Sequence, residues 1–185
     1  KPIVEDKRQM DWARAVHPLL FLSLQKQGKQ VVPLDIELTE GKRILIISGP
    51  NAGGKSVCLK TVGLLQYMLQ CGLLIPLHER SRTGIFEHIF VDIGDEQSIE
   101  NDLSTYSSHL TNMKYFVKNC NERTIILIDE FGSGTEPQIG GAIAEALLDR
   151  FNRNHSFGVI TTHYTNLKHF AAETTGIENG AMLYD

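Results

Sequence analysis

Residues 48–56 read SGPNAGGKS, beginning at the last residue of the apolar run RILIIS at 43–48. Gly49, Gly53 and Gly54 stand with Pro50 immediately before Lys55. Glycine loses more conformational freedom on ordering than any other residue, so this density implies that the backbone itself must approach something closely. Gly49, Gly54, Lys55 and Ser56 satisfy GxxxxGK[ST], and they lie between a strand-like and a helix-like segment. That is the context a phosphate-binding loop requires. Backbone N–H groups of the loop and of the helix start can surround phosphate oxygens, Lys55 can bridge terminal phosphates, and the Ser56 hydroxyl can ligate Mg2+. The expected binding positions are Gly49, Pro50, Asn51, Ala52, Gly53, Gly54, Lys55, Ser56 and Val57. A plain glycine-rich turn would account for the glycines but not for the lysine and hydroxyl that follow them.

Working outward, TIILID (124–129) and FGVITT (157–162) resemble RILIIS in being apolar with little alternation. Such runs are expected of parallel strands covered by helices on both faces. VVPLDIEL (31–38) instead alternates, with Val32, Leu34, Ile36 and Leu38 on one side, as in a strand with one wet face. IFEHIFVDI (85–93) is a further expected strand. Residues 55–71 are apolar nearly all round and end at Gly72, which predicts a deeply buried helix with a glycine cap. A second helix is expected from Ser104 to Cys120, with Leu110, Met113, Phe116, Val117 and Cys120 on its inner face. A third, at 138–151 behind Pro137, would bury Ile139, Ala142, Ile143, Ala146, Leu147 and Phe151. Residues 166–173 predict a short helix. Strands alternating with helices give an α/β fold with a mainly parallel central sheet and an antiparallel portion near the N-terminus.

The length of 185 residues fits one domain, here 1–185, and a start at Lys1 rather than methionine, with no signal-peptide pattern and no low-complexity tails, leads us to expect a segment cut from a longer chain. No apolar run approaches the roughly 20 residues of a membrane helix, so no membrane partner is expected. A net charge of −4 argues against this segment alone clamping nucleic acid. Cys58, Cys71 and Cys120 share no metal or redox spacing; as reduced thiols filling the core, they point to a cytoplasmic protein.

The chemistry-bearing residues gather at strand ends. Asp129 and Glu130 follow four apolar residues, and ligands of open α/β sheets bind at the carboxyl ends of the strands. There Asp129 would hold hydrated Mg2+, and Glu130 would orient or deprotonate an attacking water. TTHY (161–164) brings His163 to the same edge as a sensor of the terminal phosphate. The other histidines, His78, His88, His155 and His169 among them, read as surface or helix-end residues. Ser104, Thr105, Ser107 and Ser108 lie at a helix start, where hydroxyls cap the helix or meet an anion.

GPNAGGKS, ILIDEFGSGTEP and TTHY resemble the ATPase domain of the MutS family, within the ABC ATPase superfamily of P-loop NTPases. The resemblance covers nearly the whole chain, and LSTYSS stands where an ABC transporter would show an LSGGQ-like signature. DIGDEQSIENDLSTYSSH further resembles the second MutS branch, associated with suppression of recombination. The resemblance implies ATP and Mg2+ as cofactors and a homodimer with ATP held between the phosphate loop of one subunit and the signature helix of the other. Ser104 and Thr105 would then cap the partner's terminal phosphate, with Asn51 helping to position it, and Glu130, His163 and Lys55 would serve catalysis. His17, in AVHPLL, resembles the segment that lies near the adenine. The implied function is an ATP-driven switch for DNA-binding domains elsewhere in the chain, acting on branched or recombination intermediates, with any nuclease activity also elsewhere. An RNA- or ribosome-remodelling factor that rescues stalled ribosomes is the alternative, since fold does not fix function.

Overall fold

A computed structural model describes residues 1–49, 54–94 and 102–182, with 102–105 described by backbone alone. Five strands, β4 (Lys42–Ser48), β6 (His88–Asp92), β7 (Thr124–Ile128), β8 (Phe157–Thr162) and β9 (Gly176–Ala181), form a sheet in the order β6-β7-β8-β4-β9. Every pairing in it is parallel. The connections are α2 (Lys55–Gln70), α3 (Asp102–Asn119), α4 (Pro137–Arg153) and α5 (Thr165–Glu173). The expected α/β architecture is therefore present. A second, mixed sheet has the order β1-β5-β2-β3, from β1 (Ile3–Val4), β2 (Met10–Ala15), β3 (Leu34–Leu38) and β5 (Arg82–Thr83). Its β2–β3 pair is antiparallel, as expected near the N-terminus, whereas β1 and β5 run parallel.

Successive side chains of a strand point to opposite faces, and in the parallel sheet this separates two cores. Ile125, Leu127, Phe157 and Val159 join Cys58, Leu59, Val62 and Leu65 of α2 and Met10, Trp12, Ile36 and Leu38 of the mixed sheet. Ile44, Ile46, Ile126, Ile128 and Ile160 face the other way, onto Met113 and Phe116 of α3, Ala144, Leu148 and Phe151 of α4, and Leu167 of α5. All five residues of β7 are buried, which is why its sequence shows no alternation.

Several expectations are corrected. α2 is capped as foreseen, with Gly72 at φ 78° and Leu73 N–H donating to the Met68 carbonyl at 2.9 Å. It is not buried all round: Tyr67 is 64% exposed and Val57 40%, because only one side meets the sheet. α4 has its first-turn proline, but its buried residues are Gly140, Gly141, Ala144, Leu148 and Phe151, while Ile139 is 56% exposed. The helix turns its glycines inward because the backbone of Gly132 and the ring of Tyr164 lie close against it; a Cβ on Gly140 would stand 2.4 Å from the Gly132 carbonyl oxygen. Leu110 on α3 is exposed rather than inward. Cys58 and Cys120 fill the core, but Cys71, at the end of α2, is exposed. Residues 31–33 precede β3 rather than belonging to it, and α1 (Pro18–Lys26), a nine-residue helix with no buried residue, was not foreseen. No helix among the described residues is long and apolar enough to cross a membrane.

Candidate active site

The register of the parallel sheet assembles the site. Ile47 pairs with Thr161 and Ser48 with Thr162 across β4–β8, and Ile128 pairs with Ile160 across β7–β8. Asp92 pairs with Ile128 across β6–β7. The carboxyl ends of four strands thus finish level, and the residues that follow β7 fall beside Thr161 and Thr162.

β4 hands over to Gly49, at φ 135°, and α2 begins behind Gly54, at φ 76°. Gly54 is the N-cap and supplies no side-chain cap, so the first N–H groups of α2 remain available to an anion. Lys55 is only 2% exposed, yet its ammonium donates to the Gly49 carbonyl oxygen. Burial lowers its pKa from the ordinary lysine value, and the nearby charges of Asp129 and Glu130 oppose that lowering. Ser56 donates its hydroxyl proton to Asp129 Oδ2, while Asp129 Oδ1 accepts from the Thr161 hydroxyl. The strand-end acid, the hydroxyl after the lysine and β8 are therefore tied together.

Glu130 leaves the strand in the left-handed region, at φ 50°, which few residues other than glycine adopt. Its N–H donates to Thr161 Oγ1 at 2.8 Å, and the next N–H, of Phe131, donates to the Thr161 carbonyl at 2.8 Å. The His163 Nε2 lies 3.8 Å from Glu130 Oε1, with both side chains reaching solvent. The turn beyond is braced by Tyr164, whose hydroxyl donates to the Gly132 carbonyl at 2.9 Å.

On the far side, Asp92 connects two elements. Its carbonyl accepts from the Asp129 N–H at 2.9 Å. Its carboxylate meets two residues of α3, His109 Nδ1 at 2.6 Å and Asn112 Nδ2 at 3.0 Å. The hydrogen bond to Asp92 raises the His109 pKa above its ordinary value; burial opposes this, and the charges of Asp92 and Glu130 add to it. A small cleft between α3 and α4 reaches Asp129 and Glu130 past Tyr106, His109 and Ile143.

Of the residues foreseen, Lys55, Ser56, Asp129, Glu130 and His163 converge at this edge. Pro50, Asn51, Ala52 and Gly53 lie outside the described residues, as do the side chains of Ser104 and Thr105, although α3 does run through both positions. Val57 sits exposed in the first turn of α2. His17 is the N-cap of α1, its Nδ1 accepting from the Leu20 N–H at 3.3 Å; burial lowers its pKa, and the charge of Lys60 on α2 adds to that. Thr161, Asp92 and His109 were missed. The doubled threonine before His163 was the one available signal for the first; for the Asp92–His109 pair no spacing points to it.

Comparison with known proteins identifies the family. The family MutS domain V matches residues 45–184. Endonuclease MutS2 of Clostridium kluyveri is 45% identical over 184 residues, covering 100% of this chain and 23% of that protein. Endonuclease MutS2 of Thermomicrobium roseum is 48% identical over 171 residues, 92% of this chain and 21% of the relative, and that of Agathobacter rectalis is 50% identical over 169 residues, 91% and 21%. The chain thus spans less than a quarter of the length of the curated relatives it matches. It belongs to the MutS family as a domain V, and its relatives put it in the second, MutS2 branch.

Proposed function

We propose that residues 1–185 form the P-loop ATPase domain of a MutS-like DNA repair or recombination protein, in which ATP closes a homodimer and thereby switches DNA-binding domains outside this segment. The observation that carries the reading is the meeting of Ser56, Asp129 and Glu130 beside Lys55 at the amino end of α2. ATP phosphates fit against the free N–H groups of α2, where the Lys55 ammonium neutralises their charge. The donors also fit magnesium: a carboxylate and a hydroxyl already in contact, both hard oxygen ligands, leave room for waters and phosphate oxygens. When bound there, Mg2+ supplies charge neutralisation on the phosphate oxygens.

Glu130, partly open to solvent, holds the attacking water and accepts its proton. His163, beside Glu130, donates a hydrogen bond to the terminal phosphate. Ser104 and Thr105, early in α3, reach the phosphate of the second subunit. We read His17, which lies near enough to α2 to feel the charge of Lys60, as the residue on the adenine side.

The test is ATP hydrolysis by the full-length protein. Glu130→Ala should keep ATP affinity and lose turnover by a factor on the order of 100 or more, the scale of a lost general base; undiminished turnover would remove Glu130 from this role. Mixing Lys55→Ala with Ser104→Ala protein should restore part of the activity through one intact shared site, and no recovery in proven mixed dimers would count against the dimer. Stimulation by branched DNA over plain duplex supports the recombination reading. Selective stimulation by stalled ribosomes would replace it with ribosome rescue and leave the ATP chemistry in place.

A further inference from the structure

We propose that Thr161 is a positioning residue for hydrolysis, its one hydroxyl fixing the metal-binding carboxylate of Asp129 and the backbone of Glu130 relative to each other. The inference rests on the ATPase reading above.

Thr161 is fully buried in β8, the central strand of the five. A buried hydroxyl needs partners, and this one uses both its capacities toward β7: it donates to Asp129 Oδ1 and accepts from the Glu130 N–H. Its own carbonyl accepts from Phe131. One residue therefore holds three successive residues at the point where the ladder has ended, since the last β7–β8 pair is Ile128 with Ile160. In a continuing strand the Glu130 N–H would meet a backbone carbonyl. Here it meets a side chain instead, and φ stands at 50°.

A left-handed glutamate persists only where its surroundings over-determine it. Without the hydroxyl the Glu130 N–H loses its partner, the backbone is free to relax toward negative φ, and the carboxylate swings away from His163. Asp129 would keep Ser56 but lose its second donor, so its orientation toward the phosphate loop would loosen as well. Neither change breaks the bond from Lys55 to the Gly49 carbonyl or covers the first N–H groups of α2. The loss should therefore fall on turnover rather than on nucleotide affinity, as displacement by an ångström suffices to cost a hundredfold in rate.

The experiment compares Thr161→Val, which keeps shape and removes the hydroxyl, with Thr161→Ser, which keeps the hydroxyl, in the full-length protein. Thr161→Val should lower kcat at least tenfold with KM for ATP and ATP affinity measured in EDTA each within about threefold, and Thr161→Ser should retain at least about a third of wild-type kcat. A kcat for Thr161→Val within twofold of wild type would overturn the proposal, as would a serine variant no better than the valine one. Should the valine variant fail to fold, amide hydrogen exchange of the wild type decides: the Glu130 N–H should be protected like those of β7, and rapid exchange would refute the bond. Glu130→Ala is run alongside. Loss of turnover there with no effect of Thr161→Val sinks this inference alone; full turnover in Glu130→Ala sinks the hydrolysis reading beneath it.

Discussion

Replacing His109 by asparagine removes a titratable charge while keeping an N–H donor near the position of Nδ1, so the variant isolates what protonation contributes to the Asp92 contact. The partners are 2.6 Å apart with side chains 26% and 8% exposed, short enough for a charge-assisted bond and enclosed enough to limit screening. The Asp92 carboxylate is a charged acceptor for either residue, so the protonated histidine should exceed asparagine only by the attraction of its own charge, on the order of 1 kcal/mol for a partly enclosed pair. The sign with pH follows from the raised pKa. Folded His109 binds its proton more tightly than the unfolded residue, principally because of the bond to Asp92. The extra stability is thus fully present below the unfolded value of about 6.5 and disappears as pH rises through the higher folded value. Urea unfolding of the 185-residue chain, followed by far-ultraviolet circular dichroism, is the assay. At about 2 kcal/mol/M, the wild-type midpoint should exceed that of His109→Asn by roughly 0.5 M at acid pH, and the gap should close in alkali. A gap that is independent of pH, or one that widens in alkali, would refute the reasoning.

Other perturbations probe the packing around the site. Gly140→Ala forces a Cβ against the Gly132 carbonyl oxygen and the Tyr164 hydroxyl, 2.4 and 2.7 Å away; it should cost about 1–3 kcal/mol, read as a lower Tm, and an unchanged Tm would mean that α4 does not pack as described. Among the thiols, Cys71 is exposed, while burial pushes Cys58 up to about 12. A disulfide reagent at neutral pH should therefore label Cys71 rapidly and Cys58 only on unfolding, and prompt labelling of Cys58 in the native protein would contradict its place in the core.

The parallel sheet was legible because burial on both faces leaves apolar runs with little alternation in β4, β7 and β8. β9 was not: its sequence GIENGA carries one large apolar residue, Ile177, and it joins the sheet through backbone pairing with β4 at an edge. In β2 the register shift between Trp12 and Ala15, with Arg14 at φ 52°, buries both Trp12 and Ala13 and destroys the alternation by which a strand is read. α1 went unread: PLLFLSLQK is apolar at most positions with no polar face to mark a helix, and Leu19 and Leu22 are mostly exposed. For α4 the apolar residues were counted and the glycines were not, although close backbone contact selects glycine at the interface. In the site, Lys55 with Ser56 and Asp129 with Glu130 were readable because each pair sits in a local motif at the end of an apolar run, although Ser56 and Asp129 meet across 73 residues. Thr161 meets Glu130 across 31 residues and His109 meets Asp92 across 17, contacts that exist only once the strand register is known.

The division of the interior into two cores on either side of one sheet bears on how the sequence can drift. Ile125 and Ile126 are neighbours along the chain, but Ile125 belongs to the core that holds Val62 and Phe157, and Ile126 to the one that holds Phe116 and Leu148. Changes of volume at sites without shared partners add independently, whereas those in contact couple. A larger residue at 125 is thus compensated within its own core rather than on the face that holds 126, and each side of the sheet can be rebuilt over generations while the other stands unchanged.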